Sequence, residues 1–295
     1  TPGLPIVSLK SALELIESVK DSRVLFVGDK IIDEYHYVKP LGKALEEHLI
    51  PVEYQSQEIF HGGIEAAANH ARTFCKTVEV ASYGPITRKV RLIDKTYFRK
   101  LFEIHYNGER LPDRVMSLDY DVIVVADFGH GAVTPTAIEA IYASGKFLAV
   151  DAQTNSANAG FNLITKYPRA DYIVVDEPEA RLAAADRYGP LEGVVRKLAA
   201  GRCPRMVVTL GNKGALGYEG GLFFHSPALS EHPVDTLGAG DAFFAVTAPM
   251  ARTGNMADLL LIGNAAGAMK TQIVGHRASI TKDALIAFLK EKQKE

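Results

Sequence analysis

The feature that most constrains this chain is a glycine-rich segment that leads directly into an apolar run. Residues 234–244 read Val-Asp-Thr-Leu-Gly-Ala-Gly-Asp-Ala-Phe-Phe. The small residues Gly238, Ala239 and Gly240, followed by apolar residues, predict a tight turn that opens a helix. The first amides of a helix have no internal partner and the helix dipole is positive there, so this turn can hold a phosphate.

Asp241 follows the glycines directly, and two interpretations of it are open. An acidic residue stabilises the first turn of a helix, so Asp241 could simply complement the dipole. Beside a bound phosphate, however, a carboxylate is better suited to taking a proton from an attacking hydroxyl than to binding. These residues alone favour the two interpretations about equally, and the second predicts a phosphoryl-transfer enzyme.

Bulk composition is that of a globular protein with a large core. The chain has 295 residues, of which 47% are hydrophobic, enough for one or two domains. Its net charge of -2 predicts neither nucleic acid nor an anionic membrane as a partner. Cys75 and Cys203 show no metal-ligand or redox spacing, which favours the reducing cytoplasm. No apolar run reaches the roughly 18 residues of a membrane span.

Short apolar runs alternate with helical stretches along most of the chain. Runs such as 24–27 and 122–126 are apolar throughout, as in strands that are buried on both faces of a parallel sheet. We therefore expect one α/β domain over residues 1–295, with a mostly parallel central sheet and helices on both faces. The other expected strands are 78–81, 147–150, 172–175 and 206–210, and the expected helices are 9–19, 63–75, 135–144, 177–187, 190–200, 240–252, 256–273 and 282–292.

Two segments, at about 34–60 and 87–108, break this rhythm. Their side chains alternate in character with a period of two, which is typical of strands rather than helices. They predict a small, mostly antiparallel sheet that projects from the main domain.

The motif Asp-Thr-x-Gly-Ala-Gly-Asp-x-Phe at 235–243 resembles the C-terminal signature of the ribokinase family of small-molecule kinases, also called the PfkB family. The resemblance implies that Asp241 is the catalytic base and that the amides of 238–240 form an anion hole for the transferred phosphoryl group. It also implies that Asp235 and Thr236 lie beside the nucleotide phosphates and a monovalent cation.

The same resemblance extends over nearly the whole chain and implies a substrate side. Asp33 would hydrogen-bond the substrate hydroxyls, although on its own it reads as a turn residue. Gly62, Gly63 and Asn69 resemble the element that backs the sugar, with a longer spacing before Asn69 than is usual. The small sheet would be the lid over the sugar and the contact of a homodimer, and a lid is useful because water competes with the sugar for the phosphoryl group.

Asp-Phe-Gly-His-Gly at 127–131 looks like the Asp-Tyr-Gly-Lys-Gly element of the heptose-phosphate kinase branch. Asp127 is expected at the C-terminal end of a strand, where open α/β sheets place their ligands, and a capped turn is the alternative. A substrate that already carries a phosphate calls for cations, although charges on a small sheet are more often simply solvated. The cations in or near the lid are Lys89, Arg91, Arg99 and Arg110.

Three further elements resemble the nucleotide side of the family. Asp176 and Glu179 stand where the family has an Asn-x-x-Glu element that helps to organise magnesium, and the pair suits Mg²⁺ as well as a helix cap. Gly-Asn-Lys-Gly at 211–214 resembles the turn that lines ATP and is also a good hairpin turn. The residues implied at ATP are Thr209, Gly211, Gly214 and Asn264, and His276 and Arg277 are expected close to the base.

One departure from the family stands at 84–85, where a helix and a strand are missing before the second lid segment, so the sheet is expected to lose an edge strand. As a whole, the sequence predicts an ATP- and Mg²⁺-dependent kinase of a sugar or sugar phosphate, with heptose 7-phosphate as the leading substrate. The alternatives are a nucleoside, hexose or phosphofructose acceptor, or a catalytically silent nucleotide-binding regulator.

Overall fold

The computed structural model describes residues 8–109, 116–229 and 232–294, so Arg110 lies outside the described residues. An eight-stranded sheet forms the centre of the main domain, and a separate four-stranded sheet forms the lid. None of the helices in the described residues is long and apolar enough to cross a membrane.

Strands and helices follow one another in the order that the apolar runs predict. The strands are β1 (Arg23–Gly28), β2 (Lys30–Pro40), β3 (Val52–Gly63), β4 (Thr77–Ala81), β5 (Thr87–Asp94), β6 (Arg99–Tyr106), β7 (Val122–Asp127), β8 (Phe147–Ala152), β9 (Tyr172–Asp176), β10 (Arg205–Thr209), β11 (Ala215–Glu219) and β12 (Leu222–Ser226). The helices are α1 (Leu9–Ser18), α2 (Ile64–Ala71), α3 (Pro135–Ala143), α4 (Glu177–Ala184), α5 (Leu191–Ala199), α6 (Ala239–Met250), α7 (Met256–Lys270) and α8 (Lys282–Lys292).

The central sheet has the order β12-β11-β10-β9-β8-β7-β1-β4. Strands β10, β9, β8, β7, β1 and β4 are parallel to one another. Strands β11 and β12 continue the sheet beyond β10 as antiparallel strands. Successive side chains of a strand point to opposite faces, and here both faces are covered. Val124 packs into one apolar core and Val125 into the other, which explains why the strand sequences are apolar throughout.

The sheet ends at β4, as the departure at 84–85 predicts. From β4 the chain runs through residues 82–86 straight into the lid strand β5. Gly84 packs closely on the backbone of Ala132, where an added Cβ would lie 2.4 Å from the Ala132 Cα. A larger residue at this position would push the connection off the main domain.

The lid sheet has the order β3-β2-β5-β6, with β2 and β5 parallel and the two outer pairs antiparallel. Its first strand begins at Lys30, a few residues before the expected bound. The underside carries a small apolar cluster, and Leu237 and Val274 of the main domain pack against it. The lid therefore lies directly over the glycine-rich segment.

Ion pairs also join the lid to the main domain, among them Lys30 of β2 with Glu65 of α2 at 3.3 Å. Arg277 holds Glu58 of β3 with two hydrogen bonds, at 2.5 and 3.0 Å. Lys100 of β6 reaches Asp235, which lies three residues before the glycine turn, at 3.1 Å. The Arg277–Glu58 pair is partly exposed and contributes little to the free energy of folding. The apolar cluster is therefore the main interaction that stabilises the lid against the main domain.

Candidate active site

Polar side chains collect at one edge of the central sheet because parallel strands end there together. Asp127 is the last residue of β7, Asp151 is the last residue but one of β8, and Asp176 is the last residue of β9. Thr209, at the end of β10, is in register with Asp176. This edge is the usual ligand side of an open α/β sheet, and the glycine turn lies over it.

Gly238 shapes the turn that opens α6. Its φ of +75° is in the left-handed region that glycine adopts without strain, and it is the residue that precedes the helix. The turn residues 238–240 line a cavity of about 250 Å³, together with Asp176 and Glu179. The Ala239 amide donates to the Thr236 carbonyl at 3.4 Å, whereas the Gly240 amide has no partner in the described residues, belongs to the wall of this cavity and is free to meet a phosphate.

Asp241 also lines the cavity, one residue after the glycines. Its Oδ1 accepts a hydrogen bond of 2.5 Å from the Gln153 side chain, and Gln153 also donates to Asp151 at 3.2 Å. Burial raises the pKa of Asp241, although the Gln153 bond and the positive charges of His276 and Lys270 oppose the rise. An oriented carboxylate therefore stands at the phosphate cavity and can accept a proton.

Negative charge accumulates around this cavity. Asp176 caps α4 by accepting from the Glu179 amide at 2.7 Å, and Glu179 accepts in return from the Asp176 amide at 2.9 Å. Burial and the neighbouring charge of Asp176 raise the pKa of Glu179 to about 7. Burial, with the charges of Glu179 and Asp241, raises the pKa of Asp151 well above its ordinary value. These raised pKa values show that the cluster lacks compensating positive charge.

The carboxylate cluster fits a divalent cation that is bound together with a nucleotide. No group of three or more His, Cys, Asp or Glu residues within the described ranges is arranged to hold a metal ion by itself. Mg²⁺ is commonly held by one or two carboxylates, several waters and the substrate phosphates, so a preformed protein cage is not needed. Asp176 and Glu179 thus serve as a helix cap, and their second role as metal ligands stays a prediction.

A second cavity, of about 410 Å³, continues from the glycine turn along β10 and α7. The Asn264 amide donates to the carbonyls of Ser226 and Pro227, at 3.1 and 3.0 Å, and so fixes the far wall. Gly214 has a φ of +93°, and a Cβ there would meet the Ser226 carbonyl. The cavity brings together five residues that the sequence assigned to ATP, which are Thr209, Gly211, Gly214, Thr236 and Asn264.

Asp33 lies on the lid strand β2 and is buried. It forms an ion pair with Arg91 and lies 3.3 Å from the His276 ring nitrogen. Burial works to raise the pKa of Asp33, but the hydrogen bonds and charges of His276 and Arg91 outweigh it and lower the pKa. Gly62 must be glycine here, because a Cβ would lie 2.1 Å from the Asp33 carboxylate.

Gly63, the next residue, is also a position where the backbone conformation and close neighbours require glycine. Its φ is +58°, and an added Cβ would meet the Asp29 carbonyl at 2.4 Å. The pair of glycines thus allows β3 to cross close beside the start of β2. This close approach agrees with the backing role that the sequence predicts for Gly62 and Gly63, which stays a prediction.

Lys89 is a buried cation beside Asp33, with which it is in register between β5 and β2. Within the described residues its ammonium makes no hydrogen bond or ion pair. Burial lowers the pKa of Lys89, and the charge of Asp33 partly offsets this effect. An ammonium without a direct partner at the end of a largely buried side chain is well placed to meet an anion.

Asp127 does not face the substrate side. Its Oδ2 accepts from Lys166 and from the Tyr167 hydroxyl, both at 2.6 Å, and its Oδ1 accepts from the Gly129 amide at 3.0 Å. The carboxylate is fully buried and its acceptor capacity serves the fold. Of the two interpretations, the capped turn is the one observed.

Two further residues stand apart from the site. Asn69 lies on the outer part of α2, where its side chain accepts from Arg72 at 2.8 Å. Arg99 is exposed at the far end of the lid, in register with Asp94 rather than with Lys89. The structure brings Lys89 and Arg91 close to Asp33, but it does not bring Asn69 or Arg99 there.

Asp235 lines neither of the two cavities, and its predicted place beside the nucleotide phosphates stays a prediction. It is buried, and it accepts hydrogen bonds from the Tyr35 hydroxyl, Lys100, the Leu237 amide and the Gly275 amide. Two of these donors belong to the lid and two to the loops around the glycine turn. The carboxylate therefore joins the lid to the segments around the glycine turn.

His276 and Arg277 lie against the lid sheet and do not line the second cavity, and their predicted closeness to the base stays a prediction. His276 contacts Asp33 and stacks edge-on against Phe60, and Arg277 holds Glu58 of the lid. Sequence spacing alone did not reveal this, because the loop after α7 turns back under the lid. The departures from the family at these positions therefore lie at contacts with the lid sheet.

Asp151 and Gln153 were missed in the sequence. Asp151 directly follows the predicted strand 147–150, and the rule that ligands gather at the C-terminal ends of parallel strands would have singled it out. Gln153 carries no such signal, since a lone glutamine after a strand has many uses. Only its contact with Asp241 marks it as part of the site.

This geometry agrees with what the chain is similar to. A model of the pfkB family of carbohydrate kinases matches residues 132–283, just over half of the chain. The protein belongs to this family of kinases, whose members use ATP and a divalent metal.

Similarity to individual relatives is low. The bifunctional protein HldE of Rhodopseudomonas palustris is 24% identical over 86% of this chain and 61% of its own length. A deoxyribokinase of Salmonella typhimurium is 33% identical over 34% of each chain. The chain thus spans between a quarter and three fifths of the length of the curated relatives that it matches.

Solved structures confirm the fold. The ribokinase of Thermotoga maritima superposes with a TM-score of 0.73 at 19% identity, covering 91% of this chain and 99% of that one. The ribokinase of Arabidopsis thaliana, solved with ribose and ATP, gives a TM-score of 0.67 at 15% identity, covering 92% and 99%. The predicted α/β architecture with a small separate sheet is therefore confirmed.

The raised pKa of Glu179 predicts how stability depends on pH without a divalent metal. The folded pKa of about 7 exceeds the ordinary 4.5, so the folded state binds the proton more tightly. This contribution to the free energy of unfolding is full below pH 4.5 and is lost as the pH rises through about 7. Urea unfolding in EDTA at several pH values, on wild type and on Glu179→Gln, measures it.

The Glu179→Gln variant keeps the size of the side chain but cannot titrate. Its free energy of unfolding should decline less between pH 5 and 7 than that of wild type, by the part due to this one group. Equal declines in the two proteins would show that Glu179 titrates normally in the folded state.

Proposed function

We propose that this kinase transfers the γ-phosphoryl group of ATP to a sugar that already carries a phosphate, with heptose 7-phosphate as the leading acceptor. The observation that carries the proposal is Lys89, a largely buried residue beside Asp33 whose ammonium has no hydrogen-bond or ion-pair partner within the described residues. The similarity of residues 127–131 to the heptose-phosphate branch, and the match to HldE proteins, support it.

Lys89 is the one lid cation of the three described candidates that is both buried and uncommitted. Arg91 is engaged by Asp33 and by Glu103, the latter at 2.6 Å, and Arg99 is solvated. Nearby, the buried Nε2 of His130 also has no partner in the described residues. A phosphate on the acceptor would offer oxygens to both groups, and charge-assisted bonds of this kind are strong.

The reaction follows from the positions of the other groups. Asp241 takes the proton of the acceptor hydroxyl as that oxygen attacks the γ-phosphorus, and the bond to the β-phosphate oxygen breaks. The amides at 238–240 stabilise the charge on the transferred group. Asp33 orients acceptor hydroxyls. Asp176 and Glu179 would hold Mg²⁺ directly or through water, and the bound ion would supply positive charge to the phosphates.

Changing Asp241 to asparagine tests the base. The variant should bind ATP as wild type does, because the carboxylate is not a phosphate ligand, but lose about 10²–10⁴-fold in turnover. ADP release with ATP and Mg²⁺ is measured over a panel of free sugars, heptose and hexose phosphates and nucleosides. Near-normal turnover by Asp241→Asn would refute the assignment.

Replacing Lys89 by methionine tests the acceptor phosphate. Losing a charge-assisted contact should raise KM for the phosphorylated acceptor about 10–100-fold, with little change for ATP. Arg99→Met removes a solvated cation from the same sheet and is the control, with KM expected to stay unchanged. An equal effect of both changes, or preference of wild type for a free sugar or nucleoside, would overturn the phosphate-bearing substrate.

The outer face of the lid supports a homodimer. The side chains that point away from the main domain include exposed apolar ones on β3 and β6, and such a patch favours association. They are Tyr54, Ile59, Phe102, Ile104 and Tyr106, each with 44–59% of its surface exposed. A second copy of the chain would cover both patches by a two-fold contact.

Phe102→Glu places a charge in this face without touching the underside that meets the substrate. Sedimentation velocity should show a dimer for wild type and a monomer for the variant. Tyr188→Glu, at an exposed aromatic residue outside the lid, is the control and should stay dimeric. A wild-type monomer at micromolar concentration would contradict the dimer.

A further inference from the structure

Lys270, the last residue of α7, ends directly beneath the glycine turn. Its side chain is completely buried, a rare position for a lysine. The ammonium donates to three backbone carbonyls, those of Leu237 and Gly275 at 2.8 Å and that of Ile273 at 3.3 Å. An ammonium has three donors and no acceptor, so its hydrogen-bonding capacity is used completely.

These carbonyls come from the two segments that frame the active site. Leu237 directly precedes the turn glycine Gly238, whose added Cβ would lie 3.4 Å from the Lys270 Cε. Gly275 directly precedes His276, which contacts Asp33 on the sugar side. One buried cation thus holds the anion-hole turn and the sugar-side loop in a fixed relation.

A ring of backbone carbonyls is the usual way in which proteins hold a dehydrated potassium ion. The sequence resemblance places a monovalent cation beside Asp235, but the groups there do not fit one. The carbonyls already accept from Lys270, and the Asp235 carboxylate is already paired with Lys100 at 3.1 Å. Two lysine side chains supply the positive charge that a bound ion would bring.

We infer that Lys270 is a built-in cation that takes the place of a monovalent ion beneath the glycine turn, so that this kinase works without one. Lys270 acts as a positioning residue, since it touches the turn that binds the phosphoryl group and not the reacting atoms. Burial and the nearby charge of Lys100 lower the pKa of Lys270, and the carboxylates of Asp235 and Asp241 oppose this fall. A neutral amine would leave one carbonyl facing a lone pair, so the arrangement itself favours the ammonium.

The first test uses the wild-type protein and holds for any acceptor. Potassium chloride is titrated from zero against tetramethylammonium chloride at constant ionic strength. Turnover, affinity for ATP–Mg²⁺ and melting temperature should not depend on potassium. Activation of wild type by potassium, or tighter nucleotide binding in its presence, would overturn the inference.

The second test empties the position. Lys270→Ala leaves a space lined by the three carbonyls, and misplacement of the turn should lower turnover by about 100-fold. Potassium or ammonium should restore part of the turnover and raise the melting temperature of this variant. Lys270→Met fills the same space with an apolar chain and should show neither rescue. Failure of every monovalent cation to affect folded Lys270→Ala would also overturn the inference.

Lys197→Ala is the matched control, because that lysine donates to the Ala184 carbonyl on α4, away from the site. It should show wild-type turnover and no response to potassium. If both Lys270 variants fail to fold, the wild-type titration decides the question alone. The nucleotide-affinity readout keeps the test valid if the phosphorylated acceptor proves wrong, because it needs no acceptor.

Discussion

The buried carboxylate of Asp235 is the interaction on which the assembled site depends. Its two oxygens accept from the lid through Tyr35 and Lys100, from the glycine turn through the Leu237 amide and from the following loop through the Gly275 amide. Four donors on one buried anion make its pKa fall even though burial opposes this. Closing the lid and shaping the anion hole are thus coupled through one side chain.

Charge around the turn is distributed unevenly, and the unevenness is useful. At the first cavity, the carboxyl groups of Asp151, Asp176 and Glu179 lie close together. Burial raises the pKa of each, and this arrangement suits a divalent cation. Toward the sugar, Lys89 is a cation without a partner, which suits an anionic acceptor.

Local patterns carried much of the fold. The apolar runs predicted the parallel strands, and α8 begins and ends at the predicted residues, because period and capping are properties of short segments. The sequence also predicted the glycine turn before Asp241. Gly238 has a left-handed φ there, a conformation that glycine adopts more readily than other residues. The exposed strand β12 was not predicted separately, because its pairing with β11 depends on partners and not on its own composition.

Sequence by itself determined the elements, the turn that opens α6 and the residue types available for chemistry. Only the tertiary structure decided which of them meet. Asp127 and Asp235 look like ligands in the sequence, yet neighbouring donors use their oxygens for the fold. Gln153 and Lys270 look ordinary, yet each reaches a partner tens of residues away at the centre of the site. The physical reason is that hydrogen bonds and ion pairs act over a few ångströms, and folding sets those distances between segments that are remote in sequence.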